Sequence, residues 1–211
     1  MRLIVNFATG RFLPGQARLV AICHKINQPI ATYGAADDFE HDEAPYYFKA
    51  QAMARSATQA STLLWVDASI YPVLPMGPLF ELIERNGYFL LENGYNNGQW
   101  CNDASLSYFG YSRDVAWKQP QVMGGLWGVS MKHPTGKLLL NTLIELKSLF
   151  RGKWSNNDKT ESQDSRCQGH RHDQSVLSLF AAKHQLTVSR NAGWFFYGQN
   201  PKFMFNLDGC P

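Results

Sequence analysis

Three short segments bring together residue types that can hold an anionic ligand or a metal ion. The first is Leu64-Trp65-Val66-Asp67-Ala68-Ser69, an apolar run that ends on a carboxylate. A carboxylate at the end of a buried strand is costly unless something satisfies it, and a hard divalent cation bridging a diphosphate would do so with oxygen ligands. Asp67 is the leading candidate, although an Asp here serves equally well to cap the following turn. The second segment is Gly169-His170-Arg171-His172-Asp173-Gln174-Ser175, which empties into the apolar stretch Val176-Leu177-Ser178-Leu179-Phe180. It offers metal ligands, a phosphate-binding cation and a group for a ligand hydroxyl. The competing reading has Asp173 capping a helix N-terminus and the histidines in solvent. In the third, Gln121-Val122-Met123-Gly124-Gly125-Leu126-Trp127-Gly128, glycines interrupt a strand-like run and permit close backbone approach. A β-bulge or tight packing accounts for such glycines just as well.

The elements that must position these residues alternate. Arg2 to Ala8 reads as a strand closing on Thr9-Gly10, and beyond Pro14 the residues Leu19, Ile22, Cys23 and Ile26 recur at helical spacing. A short strand at Ile30 to Tyr33 and a polar, acidic segment over residues 37–43 precede a helix expected to open at Pro45, with Tyr47, Ala50, Ala54 and Ala57 on one stripe. Thr62 to Val66 is apolar almost throughout, as for a strand covered on both faces. The alternation continues through a helix at Leu79 to Arg85, a strand at Tyr88 to Leu91, a helix over Asn102 to Asp114, a strand at Val122 to Met131 and a helix at Leu138 to Phe150. A helix around Val176 to Ala182 and short strands near Leu186 to Ser189 and Trp194 to Tyr197 complete it. Residues 151–171 are polar and turn-rich and are expected to form a mobile loop that closes over a bound ligand. This β-α-β-α-β order predicts an α/β domain with a mainly parallel central sheet flanked by helices, one domain over residues 1–211.

Composition narrows the classes. A hydrophobic fraction of 45% and an aromatic fraction of 13% belong to a packed globular protein. A net charge of +3 is too small to announce a polyanion partner. The first apolar run, Leu3 to Phe7, is too short for a signal-peptide core or a membrane span, so a cytoplasmic location is expected. Cys23, Cys101, Cys167 and Cys210 lack paired Cys-x-x-Cys spacing and read as reduced thiols, Cys23 on a buried stripe.

Taken in order, the opening strand followed by Arg11-Phe12, the strand ending Leu64-Trp65-Val66-Asp67-Ala68-Ser69, the Gly124-Gly125 strand and His170-Arg171-His172-Asp173-Gln174-Ser175 resemble a family of nucleotide-sugar glycosyltransferases with the A-type fold. The resemblance covers most of the chain. It implies a single A-type catalytic domain, a nucleotide-sugar donor, Mn²⁺ or Mg²⁺, and transfer of a hexosyl or pentosyl group to a hydroxyl of a glycan, a protein or a modified nucleic-acid base. By that resemblance Asp173 and Gln174 would be catalytic, contacting the donor sugar near its reactive carbon. Asp67, Ser69, Thr9, Arg11 and Arg171 would bind the donor, the arginines neutralising the diphosphate as it leaves. Gly124, Gly125 and Trp127 would line the acceptor side, and Asp67, His170 and His172 would hold the metal. Ser69 stands where a second aspartate is usual, which removes one anionic metal ligand. Two other readings stay open: a nucleotide- or glycan-binding module with a degenerate site, and a metal-dependent phosphoesterase or nuclease built from His170, His172, Asp173 and Asp67.

Overall fold

The computed structural model describes residues 1–40, 44–150 and 162–209. Its central five-stranded sheet has the order β2-β1-β3-β6-β5, from β1 (Arg2–Phe7), β2 (Ile30–Tyr33), β3 (Thr62–Val66), β5 (Tyr88–Asn96) and β6 (Pro120–Ser130). β1 pairs in parallel with β2 and β3, while β6 runs antiparallel to both β3 and β5. β1, β2, β3 and β5 therefore point one way and β6 the other, which makes the sheet mostly parallel as expected. A second sheet of order β4-β8-β7 joins β4 (Ile70–Pro72), β8 (Phe205–Leu207) and β7 (Phe195–Tyr197).

The two-residue period of the strands divides their side chains between two cores. Leu3, Val5, Leu63, Trp65, Leu90, Trp127 and Val129 face one cluster, with α2 (Phe48–Ser56), α7 (Pro134–Glu145) and α8 (His172–Lys183) laid over them. Ile4, Leu64, Val66, Phe89, Leu91 and Leu126 face the other, covered by α1 (Leu13–Lys25), α3 (Gly77–Asn86) and the small sheet. This is why Thr62 to Val66 is apolar at every position but its first.

Several boundaries differ from the sequence reading, each for a local reason. The helix expected over Asn102 to Asp114 is two, α5 (Asp103–Phe109) and α6 (Arg113–Trp117), preceded by the short α4 (Asn97–Trp100). Gly110 at φ 77 ends α5 in the left-handed region, and Ser112 opens α6 by accepting from the Val115 N–H. The helix read as Leu138 to Phe150 starts at Pro134, where His133 accepts from Thr135 N–H, and gives way to a 3-10 turn at Lys147–Phe150. Leu186 to Ser189 is no strand: only Ser189 bridges to Leu91. The helix expected at Pro45 begins at Phe48, after a turn in which Tyr46 takes φ 64. Residues 151–161 of the expected mobile loop lie outside the described residues, as do 41–43 of the acidic segment. Residues 162–171 are tied down, with Ser162 and the Gln163 N–H bonded to Asp103 and with Cys167 and His170 buried. Cys23, Cys101 and Cys167 are buried free thiols. Among the described residues no helix is long and apolar enough to cross a membrane.

Gly128 lies opposite Leu64 in the β3–β6 ladder. A Cβ there would stand 3.0 Å from the Leu63 carbonyl and strike the Ile83 side chain of α3. Gly128→Ala is expected to cost about 1–3 kcal/mol through overpacking, read as a lower urea midpoint at unchanged m-value.

Candidate active site

The carboxyl edge of β1 and β3 is where an open α/β sheet accepts ligands. Asn6, buried in β1, donates to the Val66 carbonyl at 2.6 Å and accepts from Gln16 at 2.8 Å, which clamps the two strand ends together. Just beyond, the Asp67 N–H donates to the Gly125 carbonyl at 2.9 Å and Ile70 N–H closes a turn onto the Asp67 carbonyl. Arg18 supports that turn from α1 by donating to the Ser69 carbonyl at 3.2 Å. From the opposite face, the first turn of α8 lowers Asp173 and Gln174 onto Gly124.

At the meeting point lies a residue that the sequence reading passed over. Lys49, in the first turn of α2 and 4% exposed, places its Nζ 3.1 Å from Asp67 Oδ1, 3.0 Å from Asp173 Oδ2 and 3.0 Å from the Gly124 carbonyl. The ammonium thus pairs with both carboxylates and donates to the carbonyl. The same Asp67 oxygen also accepts from the Trp65 indole at 2.7 Å. Burial works against the Lys49 charge, but Asp173 and Asp67 outweigh it and hold the amine above its ordinary value. Burial, reinforced by Asp67, pushes the Asp173 carboxyl up to about 6 against the opposing pull of Lys49.

The glycine pair makes room for these carboxylates. A Cβ on Gly124 would lie 2.8 Å from Asp173 Oδ2, and one on Gly125 would lie 2.9 Å from Asp67 Oδ2. Gln174 fixes this floor, its Oε1 accepting from Gly124 N–H at 3.2 Å and its Nε2 donating to Gln121 at 2.8 Å.

Two clefts open from the triad. One, of about 230 Å³, is lined on the β1 side by Phe7, Thr9 and Phe12 and on the β3 side by Asp67 and Ser69. The other, of about 140 Å³, is lined by Gly124, Gly125, Arg171, Asp173 and Gln174. Tyr46, Lys49 and Asp67 belong to both. Arg171 is half-buried, its guanidinium 3.9 Å above the Trp100 ring and 5.2 Å from that of Tyr95. Arg11 is exposed over Phe12 and close enough to Tyr46 to act on its hydroxyl electrostatically.

The remaining candidates are placed elsewhere. Trp127 is 2% exposed, paired across the ladder with Trp65 in the core, and lines neither cleft. His170 accepts from Asn102 N–H at Nδ1 and donates from Nε2 to the Leu149 carbonyl at 2.8 Å, so both ring nitrogens are spent. Burial and the neighbouring His172 push it down to about 3. His172 bonds the Phe150 carbonyl through Nδ1 at 2.9 Å. The residues do not fit the divalent ion that the family resemblance implies: an ammonium already bridges the two carboxylates and the histidines face backbone carbonyls. Among the described residues no group of three or more His, Cys, Asp or Glu is arranged to hold a metal.

Lys49 did leave a signal in the sequence. Taken from Lys49, the positions at i+3, i+4 and i+7 are Ala52, Met53 and Ser56, all small or apolar and all buried. A lysine on such a stripe must find an anionic partner. Tyr46, the strained residue that opens the turn before α2, left none.

No family model matches the chain, and no curated protein does. Among solved structures, it resembles a glycosyltransferase involved in the glycosylation of the major capsid of PBCV-1, at TM-score 0.55 and 12% identity over 97% of this chain and 92% of that one. It also resembles mouse xyloside xylosyltransferase 1 in its apo form, at TM-score 0.53 and 11% identity over 99% and 97%. The chain thus has the mixed α/β fold of these glycosyltransferases along its whole length.

Asp173 supplies a pH test. Its folded pKa lies above its ordinary 3.8, so its contribution to stability is complete below that value and is lost as pH rises through about 6. The stability of wild type relative to Asp173→Asn is expected to fall between about pH 4 and about pH 7, with a slope of up to about 1.4 kcal/mol per pH unit, in urea titrations. A flat difference would put Asp173 at its ordinary value.

Proposed function

We propose that the chain is a glycosyltransferase that moves a hexosyl or pentosyl group from a nucleotide-sugar donor to an acceptor hydroxyl. One observation carries this reading: two clefts at the carboxyl edge of the sheet meet at Asp67, beside a buried second carboxylate. The shared fold with two glycosyltransferases supports the reaction class.

In this reading the nucleoside occupies the cleft between the ends of β1 and β3, where Thr9 and Ser69 offer hydroxyls and Phe7 and Phe12 offer apolar faces. The donor sugar lies across Asp67 and Asp173 into the second cleft, over a floor that Gly124 and Gly125 keep free of side chains. Breaking the sugar–phosphate bond builds negative charge on the diphosphate and oxocarbenium character on the sugar. Arg171, cationic at every relevant pH, lies in the second cleft to meet the first, with Arg11 over the Phe12 ring that lines the other cleft. The carboxylates stabilise the second. Gln174 holds the Gly124 backbone in place, as a positioning residue. The phosphoesterase reading loses its histidines to the Leu149 and Phe150 carbonyls.

A thermal-shift panel of uridine, guanosine, cytidine and adenosine diphosphates and their sugar conjugates tests the proposal. One nucleoside series is expected to raise the melting temperature by several degrees at saturating ligand, and Asp67→Asn and Arg171→Ala to abolish the rise. The sugar conjugate that binds is then expected to be hydrolysed slowly or transferred. No rise with any nucleotide would remove the reading, and binding without turnover for any acceptor tried would favour a binding module.

A further inference from the structure

The Lys49 ammonium sits where two carboxylates converge on the cleft, the place where a sugar-nucleotide site would recruit a cation from solution. It pairs with Asp67 and Asp173 at 3.1 and 3.0 Å and donates to the Gly124 carbonyl at 3.0 Å, and the rings of Tyr46 and Trp65 stand 5.1 Å and 5.6 Å away. Lysine in this setting is a compact point charge on a stem that α2 anchors in the core. A divalent ion at the same point would have to displace the ammonium; with the amine gone, the two carboxylates and the carbonyl offer it three oxygens, and water completes a shell of about six.

Resting on the glycosyltransferase reading, we propose that Lys49 is a built-in cation: it holds Asp67 and Asp173 in their working geometry, the site takes its nucleotide donor without a divalent ion, and removal of the amine turns the two carboxylates into a metal site. Because the Lys49 ammonium is buried and paired with both carboxylates, the donor diphosphate is left to Arg171. That guanidinium forms no ion pair among the described residues.

The experiment is a Mn²⁺ titration followed by electron paramagnetic resonance, on the full chain without nucleotide, run beside the melting-shift panel with and without chelator. Wild type is expected to take up no Mn²⁺ at the site and to keep its nucleotide-induced shift in chelator. Lys49→Ala is expected to take up about one Mn²⁺ per chain, to lose this uptake in the Lys49→Ala/Asp67→Asn double variant, and to melt higher with Mn²⁺ than without. Uptake of about one ion by wild type that Asp67→Asn removes would overturn the proposal. So would a chelator-sensitive nucleotide shift, or a folded Lys49→Ala chain that takes up no ion. Should Lys49→Ala fail to fold with or without Mn²⁺, the wild-type titration and chelator arm decide alone. If no nucleotide shifts wild type, the glycosyltransferase reading fails while the Mn²⁺ uptakes still test the cation.

Discussion

A charged amine buried among two carboxylates and a carbonyl organises the site and much of what surrounds it. Removing Lys49 would strand two carboxylates against a sheet, a change that typically costs several kcal/mol. Its presence requires α2 to begin where it does, after a turn that holds Tyr46 at φ 64. It also requires β6 to carry two residues without side chains, because any Cβ on Gly124 or Gly125 would reach the Asp173 or Asp67 oxygens. The paired glycines fall in the stretch of β6, between Val122 and Trp127, where the register against β5 shifts as at a bulge, and they also leave the space in which the carboxylates stand.

The histidines illustrate the opposite relation between residue type and role. His170 and His172 lie beside Asp173 in the chain, yet their ring nitrogens reach back to the Leu149 and Phe150 carbonyls at the end of the turn that follows α7. They fasten the start of α8 to that turn. Their side chains consequently fix where Asp173 and Gln174 enter the cleft while taking no part in it. Ser175 adds to the same anchorage by donating to the Trp100 carbonyl at 2.5 Å, and Ser178 by accepting from Val122 N–H at 2.8 Å. A helix that is buried nearly all round is held by such polar fasteners as much as by its apolar residues.

Electrostatically the site is uneven. Asp67, Lys49 and Asp173 together retain one negative charge when both carboxylates are ionised, and burial, with the Asp67 charge adding to it, holds the Asp173 carboxyl above its ordinary value. Arg171, stacked on Trp100, adds a cation a short way off that no described carboxylate neutralises. Separated charges of opposite sign across one small cleft are suited to a bond that breaks heterolytically, and dipoles fixed in advance need no reorganisation when it does.

The alternation of strand and helix was legible from local periodicity, and so was the value of Asp67, because a carboxylate ending an apolar strand is unusual wherever it occurs. Asp173, Gln174 and the glycine pair were legible as candidates, although each had an equally good architectural explanation. What periodicity could not supply was direction. Whether a histidine faces a cleft or a carbonyl, or Trp127 a ligand or Trp65, depends on the packing of elements far apart in the chain. Of the small β4-β8-β7 sheet only β7 was legible, within Trp194 to Tyr197; β4 and β8 are too short to leave a periodic signal. Lys49 joins its two carboxylates from a helix that neither segment adjoins, so its buried stripe could say that it needs an anion, but which anions it meets was decided only when the tertiary fold closed β3, β6 and α8 around it. Local sequence determines which faces must be buried; a buried charge finds its partners only through contacts that the folded chain creates.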